Sequence, residues 1–339
     1  MIYCYSVYGL RLATRTAIDG LREGPSEDPN CEPIEVALGA CPSWAAAAMQ
    51  LPATSVYACA PVHGKAETAF QLLQRGGGKF SQFVYADGTR FVVDAETRRI
   101  WGQCPPPLVQ EDLVTYLIGP VLGFVLRRRG VLALHASSFA ANGLAFVLCG
   151  GQGAGKSTTA AALALRGRSV HSEDITALHE RDGLFLTHPG YPRVNLWPDA
   201  AANLFRTSQE LPVITPNWEK RFFPLAGGTS KFENRQQRLA AVYLLQPRVN
   251  DDAAPRIEEL SKREAVLLLV QHTYMNYLLS KEQRALEFDA ITRLASSSVV
   301  RRVLPSGDPA KLTLMCQLLE NDSAAIASKM AQEPARRMG

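Results

Sequence analysis

Residues 150–157 read Gly150-Gly151-Gln152-Gly153-Ala154-Gly155-Lys156-Ser157, and this octapeptide constrains the fold more than any other stretch of the chain. It satisfies G-x-x-x-x-G-K-[ST] in full, and each fixed position has a physical duty. Glycine at 150 and 155 allows backbone angles and close approaches that a Cβ forbids, so main-chain amides can ring an anion at a helix N-terminus. Lys156 brings a positive charge to the outer phosphates of a triphosphate, and the Ser157 hydroxyl can ligate Mg²⁺. The motif needs a strand before it and a helix after it. Residues 144–149 form an apolar run, and 158–166 is an alanine-rich segment closed by Gly167. ATP is therefore the expected ligand, held by Gly150, Gly151, Gln152, Gly153, Ala154, Gly155, Lys156, Ser157 and Thr158. A dinucleotide fingerprint fails, because Lys156 stands where G-x-G-x-x-G requires its third glycine.

The segments around the loop predict an α/β domain. Residues 131–139 read as a second apolar strand, joined to the loop strand through Ala141-Asn142-Gly143, and Ser169–Ser172 reads as the strand after the helix. Glu173-Asp174 then falls at the carboxyl end of a strand expected to run parallel to the loop strand, where α/β proteins place ligands. A carboxylate there can hold Mg²⁺ or take a proton from an attacking hydroxyl; the pair can also cap a turn. His135 lies inside an apolar strand, a place that suits a core histidine as well as a catalyst. Further strands are expected at 239–245 and Val299–Leu304. A helix is expected over 261–279, opened by the capping box Ser261 and Glu264, and a last helix over 311–319. The Ala/Ser/Lys/Arg-rich end, 323–339, is expected to be a mobile tail.

The first hundred residues predict a small antiparallel sheet. Ile34–Leu38, Phe80–Tyr85 and Arg90–Asp94 are β-rich, and the last two flank the hairpin turn Ala86-Asp87-Gly88-Thr89. Cys104-Pro105-Pro106-Pro107 stops regular structure and marks the expected domain boundary, giving a β-rich domain over 1–105 and an α/β domain over 106–322. Apolar spacing over 109–128 predicts a helix leading into the second domain, with Arg127-Arg128-Arg129 as its solvated end.

A formal charge of +4, spread along 339 residues, leaves no nucleic-acid footprint. The longest apolar stretch, 113–126, is too short and too interrupted to span a bilayer, so no membrane partner is expected. Seven cysteines without a C-x-x-C pair suggest neither a disulfide framework nor a zinc site and suit a reducing cytoplasm. A homo-oligomer is compatible with the sequence.

The order of His135, then Gly150 fifteen residues later, a helix, and an acidic pair sixteen and seventeen residues after Ser157 resembles the kinase domain of the HPr kinase/phosphorylase family across 131–176. The resemblance implies that the histidine and an acidic residue of the pair sit beside the transferred phosphate, with Glu173 or Asp174 as base and His135 as its neighbour. The loop motif and the strand-end position of the acidic pair place the expected Mg²⁺ on Ser157 and Asp174. Most of the chain is similar to a divergent branch, the kinases encoded with lasso-peptide biosynthesis, which phosphorylate a serine of the precursor peptide. That similarity rests on Tyr5-Ser6-Val7-Tyr8-Gly9-Leu10, Tyr116-Leu117-Ile118-Gly119-Pro120, Leu134-His135-Ala136-Ser137-Ser138, Pro189-Gly190-Tyr191-Pro192-Arg193 and Leu196-Trp197-Pro198-Asp199. The chain departs from the family in having Glu173-Asp174 where two aspartates are usual. It also lacks a recognisable counterpart of the stretch with the downstream metal-binding glutamate.

The expected protein is thus a P-loop kinase domain of the HPr kinase type preceded by a small β-rich domain that recognises a serine-bearing precursor peptide. Its catalytic set is Asp174, Glu173, His135, Lys156 and Arg193, with Lys220-Arg221 as further cations and His272 and Tyr274 read as core or surface residues. A carrier-protein or small-molecule kinase, and a nucleotide-dependent switch that transfers nothing, are the alternatives.

Overall fold

The computed structural model describes residues 1–24, 32–59, 69–205, 211–216, 218–225 and 231–337. It divides into two compact units. One is Met1–Arg129 together with Ile214–Trp218 and Met275–Ser280; the other is Gly130–Val213, Glu219–Tyr274 and Lys281–Gly339. The dividing line after Arg129 lies beyond the proline run at which the sequence suggested a boundary.

The first unit is built on a nine-stranded sheet, larger than expected and mixed rather than antiparallel. Phe80–Tyr85 and Arg90–Asp94 form the anticipated hairpin. Gly88 takes φ +85° at its turn, and the Asp87 carboxylate accepts from Thr89 N at 2.9 Å. Ile34–Leu38, however, runs parallel to both neighbours, Leu10–Thr14 and Arg99–Gln103. The chain can return in the same direction because the helix Ser43–Gln50 follows that strand. Ala45 and Ala48 of this helix pack on Val92 and Trp101.

The helix expected over 109–128 forms, but as Gln110–Tyr116 and Leu122–Arg128 joined by a π-turn at Leu117–Val121. Pro120 has no N–H for the regular ladder, and Gly119 leaves helical angles at φ −90°, ψ −106°. This segment belongs to the first unit rather than leading into the second. Its end is not wholly solvated either. Arg127 is buried, which lowers its pKa to about 10, and Arg129 donates to Thr97 Oγ1 at 2.9 Å and Thr97 O at 2.8 Å.

In the second unit the strand Leu144–Gly150 pairs antiparallel with Leu132–Ala141 and parallel with Gln237–Leu245, which in turn pairs parallel with Val299–Leu304. Its side chains alternate between two cores, as a strand covered on both faces requires. Phe146 and Leu148 join Ala160–Leu163 of the loop helix and Met315, Cys316 and Leu319 of the last helix. Val147 and Cys149 join Leu269, Ile291 and Leu294 on the opposite side. Asn142 and Gly143 both have positive φ, 53° and 72°, the conformation of a tight hairpin turn.

Two helical expectations are corrected. The capping box forms, with Glu264 N donating to Ser261 Oγ at 3.3 Å and Ser261 N to Glu264 Oε2 at 3.1 Å, but the helix ends at Val270 instead of Leu279. Residues 272–274 are drawn to the open edge of Leu132–Ala141: His135 N donates to His272 O and Tyr274 N to Ala133 O, both at 2.8 Å. The supposed tail is helical through Arg337, in Leu312–Arg337, because Ser323, Ile326 and Ala327 are buried and Met330 packs on the same core. Residues 338–339 lie outside the described residues. Among the described residues no helix is long and apolar enough to cross a membrane.

Candidate active site

The strand Leu144–Gly150 delivers the chain into the glycine loop, and the helix Lys156–Leu165 leaves it. A Cβ on Gly150 would sit 2.5 Å from the carbonyl oxygen of Leu245 in the adjacent strand, so glycine is a packing requirement there. Gly153 and Gly155 take φ +79° and +98°, left-handed angles that bend the loop around the helix N-terminus. Lys156 is buried, and its ammonium donates to Gly150 O at 2.8 Å and Gly151 O at 3.1 Å. Burial lowers its pKa, opposed by the nearby Cys149, Asp174 and Glu173.

The carboxylates come from the other side of the sheet's end. Ser169–Ser172 pairs antiparallel with Leu132–Ala141, so it points the same way as the loop strand, as expected. Between this strand and Ile175–Arg181 the chain makes a three-residue turn. Ile175 N donates to Glu173 O at 2.8 Å, and Asp174 at its centre takes φ 65°. Such a conformation is costly for a non-glycine residue and places two adjacent carboxylates in different surroundings. A buried hydroxyl chain supports the turn from below, with Ser138 Oγ 2.6 Å from Ser172 Oγ and Ser172 Oγ 2.8 Å from Thr176 Oγ1.

Glu173 faces the loop and is buried; its Oε1 accepts from Ser157 Oγ at 2.7 Å. Burial first, then the charge of Asp174, pushes its pKa up to about 7, while the Ser157 hydroxyl, Lys220 and the Asn195 main-chain N–H pull the other way. Asp174 turns toward His135, whose Nδ1 lies 3.2 Å from Asp174 O and 3.4 Å from Asp174 Oδ1. With two acceptors facing Nδ1, the ring carries its proton there. Enclosure lowers the His135 pKa, and the Asp174 charge opposes that shift.

These groups open on one cavity of about 650 Å³, a volume suited to a small ligand. Gln152 through Thr159 line it with His135, Glu173, Asp174 and Lys220. Gly150 and Gly151 stand behind it as acceptors for Lys156. Lys220 Nζ lies 5.3 Å from the centre of the Trp197 ring, which also faces the cavity.

The remaining cations divide. The Arg193 guanidinium lies over the Tyr191 and Phe222 rings, at 4.9 and 5.6 Å, and is not on the cavity wall; Arg221 donates to Leu211 O at 3.0 Å. Sequence reasoning missed Arg248, which lines the cavity with a guanidinium nitrogen 3.6 Å from where a Gly155 Cβ would be. Its signal was its place just past the carboxyl end of the strand Gln237–Leu245, parallel to the loop strand. Tyr274, read as core or surface, brings its hydroxyl to 3.4 Å from Asp174 Oδ2. Burial first, then the nearby Lys156 and His135, lowers the His272 pKa to about 4.

Mg²⁺ was expected on Ser157 and Asp174; the carboxylate bonded to Ser157 is that of Glu173. These two oxygen donors fit a hard divalent cation held jointly with phosphates and water. Among the described residues no group of three or more His, Cys, Asp or Glu side chains forms a metal cage.

No family model matches the chain, and no curated protein matches it. Among solved structures, the HPr(Ser) kinase/phosphatase from Coxiella burnetii aligns with a TM-score of 0.31 at 12% identity, covering 59% of this chain and 96% of that chain. A likeness this slight carries neither fold nor chemistry, and both stand on the geometry above.

Proposed function

We propose that the chain is an ATP-dependent kinase that transfers the γ-phosphate to a serine hydroxyl of a peptide. The observation that carries this reading is the division of labour at the turn: Glu173 is bonded to the Ser157 hydroxyl of the phosphate loop, while Asp174, next in the chain, faces His135 in the same cavity. A nucleotide-binding loop alone needs only the first arrangement. The second is what a phosphoryl acceptor requires, because its hydroxyl must lose a proton as it attacks.

The main-chain amides of the loop and the Lys156 ammonium hold the triphosphate, and Lys156 exchanges its bonds to Gly150 O and Gly151 O for phosphate oxygens. Ser157 and Glu173 would hold Mg²⁺, which when bound neutralises charge on the phosphate oxygens. Asp174 accepts the proton of the acceptor hydroxyl; the oxygen left behind forms the new bond to phosphorus, and ADP departs with the electrons of the broken one. The His135 Nδ1–H holds the Asp174 carboxylate in position. Lys220, on the cavity wall, meets the charge on the transferred group.

The acceptor assignment rests on the sequence resemblance to HPr-type kinases and to the lasso-peptide precursor kinases. It is supported by the edge strand Ala53–Ala58, which ends the first unit's sheet and exposes five of its six residues, a geometry that suits an extended peptide added as a further strand. The test is incubation with ATP, Mg²⁺ and serine-bearing peptides followed by mass spectrometry. The reading expects a phosphate increment on a serine with the parent chain and a far slower one with Asp174→Asn. Tight ATP binding with no phosphate on any peptide would overturn the peptide-kinase reading and leave the alternative acceptors and the nucleotide switch.

A further inference from the structure

We infer that Tyr274 is a positioning residue for Asp174, fixing the carboxylate so that one of its oxygens can receive the acceptor's proton; this rests on the kinase reading above. The inference begins with where the residue is held. Thr273 bridges Leu134 in antiparallel fashion, and Tyr274 N donates to Ala133 O at 2.8 Å. Tyr274 is therefore tied to the very strand that carries His135. Its ring is buried and lies 6.1 Å, centre to centre, from the His135 ring. Immediately after it, Met275 takes φ 50°, a left-handed angle at which the chain turns.

The carboxylate itself has two distinct neighbours. Asp174 Oδ1 lies 3.4 Å from His135 Nδ1, and Asp174 Oδ2 lies 3.4 Å from the Tyr274 hydroxyl. Asp174 sits at the centre of a strained turn with a side chain about one-third exposed, so packing alone does not fix the rotation of the carboxylate. Two donors on two oxygens do. At these separations the bonds are long, and they shorten when an acceptor closes on the site, as catalytic hydrogen bonds commonly do. A general base turned away from its proton loses much of its advantage, so the contribution of the hydroxyl is to rate rather than to nucleotide binding.

The test compares the full-length parent, Tyr274→Phe, Asp174→Asn and the double variant, measuring ADP formed from ATP and Mg²⁺ with a serine-bearing peptide present. Phenylalanine keeps the buried ring and removes only the hydroxyl. Tyr274→Phe is expected to lower kcat about tenfold while leaving the KM for ATP within about twofold and the melting temperature within about 2 °C. In the Asp174→Asn background it is expected to change the residual rate by less than about twofold, because a residue that acts through Asp174 has nothing left to act on. An active parent in which Tyr274→Phe leaves kcat unchanged, or lowers it equally in both backgrounds, overturns the positioning role alone. A parent that binds ATP and forms no ADP overturns the kinase reading and this role with it.

Discussion

Replacing Glu173 by glutamine should make the protein more stable and less active, and the size of the first effect follows from the site. The side chain is buried and bonded to Ser157, and its pKa is pushed from the ordinary 4.5 to about 7. Below pH 4.5 the folded and unfolded chains both hold the proton. Between 4.5 and 7 the unfolded chain gives it up first, so stability declines as pH rises and levels off once the folded carboxyl has also ionised. The full cost of holding the charge in the fold is about 3 kcal/mol above pH 7. Glutamine has nearly the same shape, can still accept from Ser157, and carries no charge.

Urea unfolding of the metal-free and nucleotide-free protein, at steps from pH 4 to pH 8, should therefore show parent and Glu173→Gln nearly equal at the acid end. The variant should be ahead by about 3 kcal/mol at the alkaline end, on the order of 5–10 °C in melting temperature. Mg²⁺ with ATP should shrink the gap, since a cation beside Glu173 favours the ionised form, and the variant's requirement for Mg²⁺ should rise. A variant equally stable or less stable than the parent at every pH would refute the reasoning, because it would mean that Glu173 is not held as a disfavoured charge.

Gly150→Ala should weaken ATP binding, since its Cβ would meet the Leu245 carbonyl at 2.5 Å and the loop strand must shift; isothermal titration against the parent reads this directly. Ser261→Ala removes the side-chain half of a formed capping box and should cost about 1 kcal/mol in thermal unfolding without touching nucleotide affinity. Acid should destabilise the fold through His188, which burial first, then His179 and His171, holds neutral with a pKa of about 3. Its folded pKa lies below the unfolded 6.5, so the stability it contributes is complete above that value and falls by about 2 kcal/mol by pH 5, a slope that His188→Gln should flatten in pH-dependent denaturation.

The legible parts of this protein are those whose physics is local. Gly150 through Ser157 encode their own turn and helix start, and Asn142-Gly143 and Asp87-Gly88 encode their hairpins. Less legible was anything decided by distant partners. Tyr274 meets Asp174 across one hundred residues, and neither neighbourhood announces the other. The helix expected to continue to Leu279 stops at Val270 because the edge of a strand more than a hundred residues earlier offers main-chain bonds to residues 272–274. Two helices were hidden by composition. Lys281–Ser297 buries only Ile291, Leu294 and Ala295 while exposing Leu286 and Phe288, and the end of Leu312–Arg337 presents its packing face in small residues with Ile326 and Met330 among them. The carboxylate pair was found, yet the two residues' separate partners depend on the positive φ of Asp174, a property that no aspartate reveals in a sequence.

The central claim is that the phosphate loop and the Glu173-Asp174 turn form one catalytic site. It is tested most directly by measuring, on the same Asp174→Asn preparation, the affinity for ATP in the presence of Mg²⁺ and the rate of phosphate transfer in a single turnover. The account predicts an ATP affinity within about threefold of the parent together with a transfer rate lower by at least about a hundredfold. Transfer at the parental rate with Asp174 neutralised would contradict it.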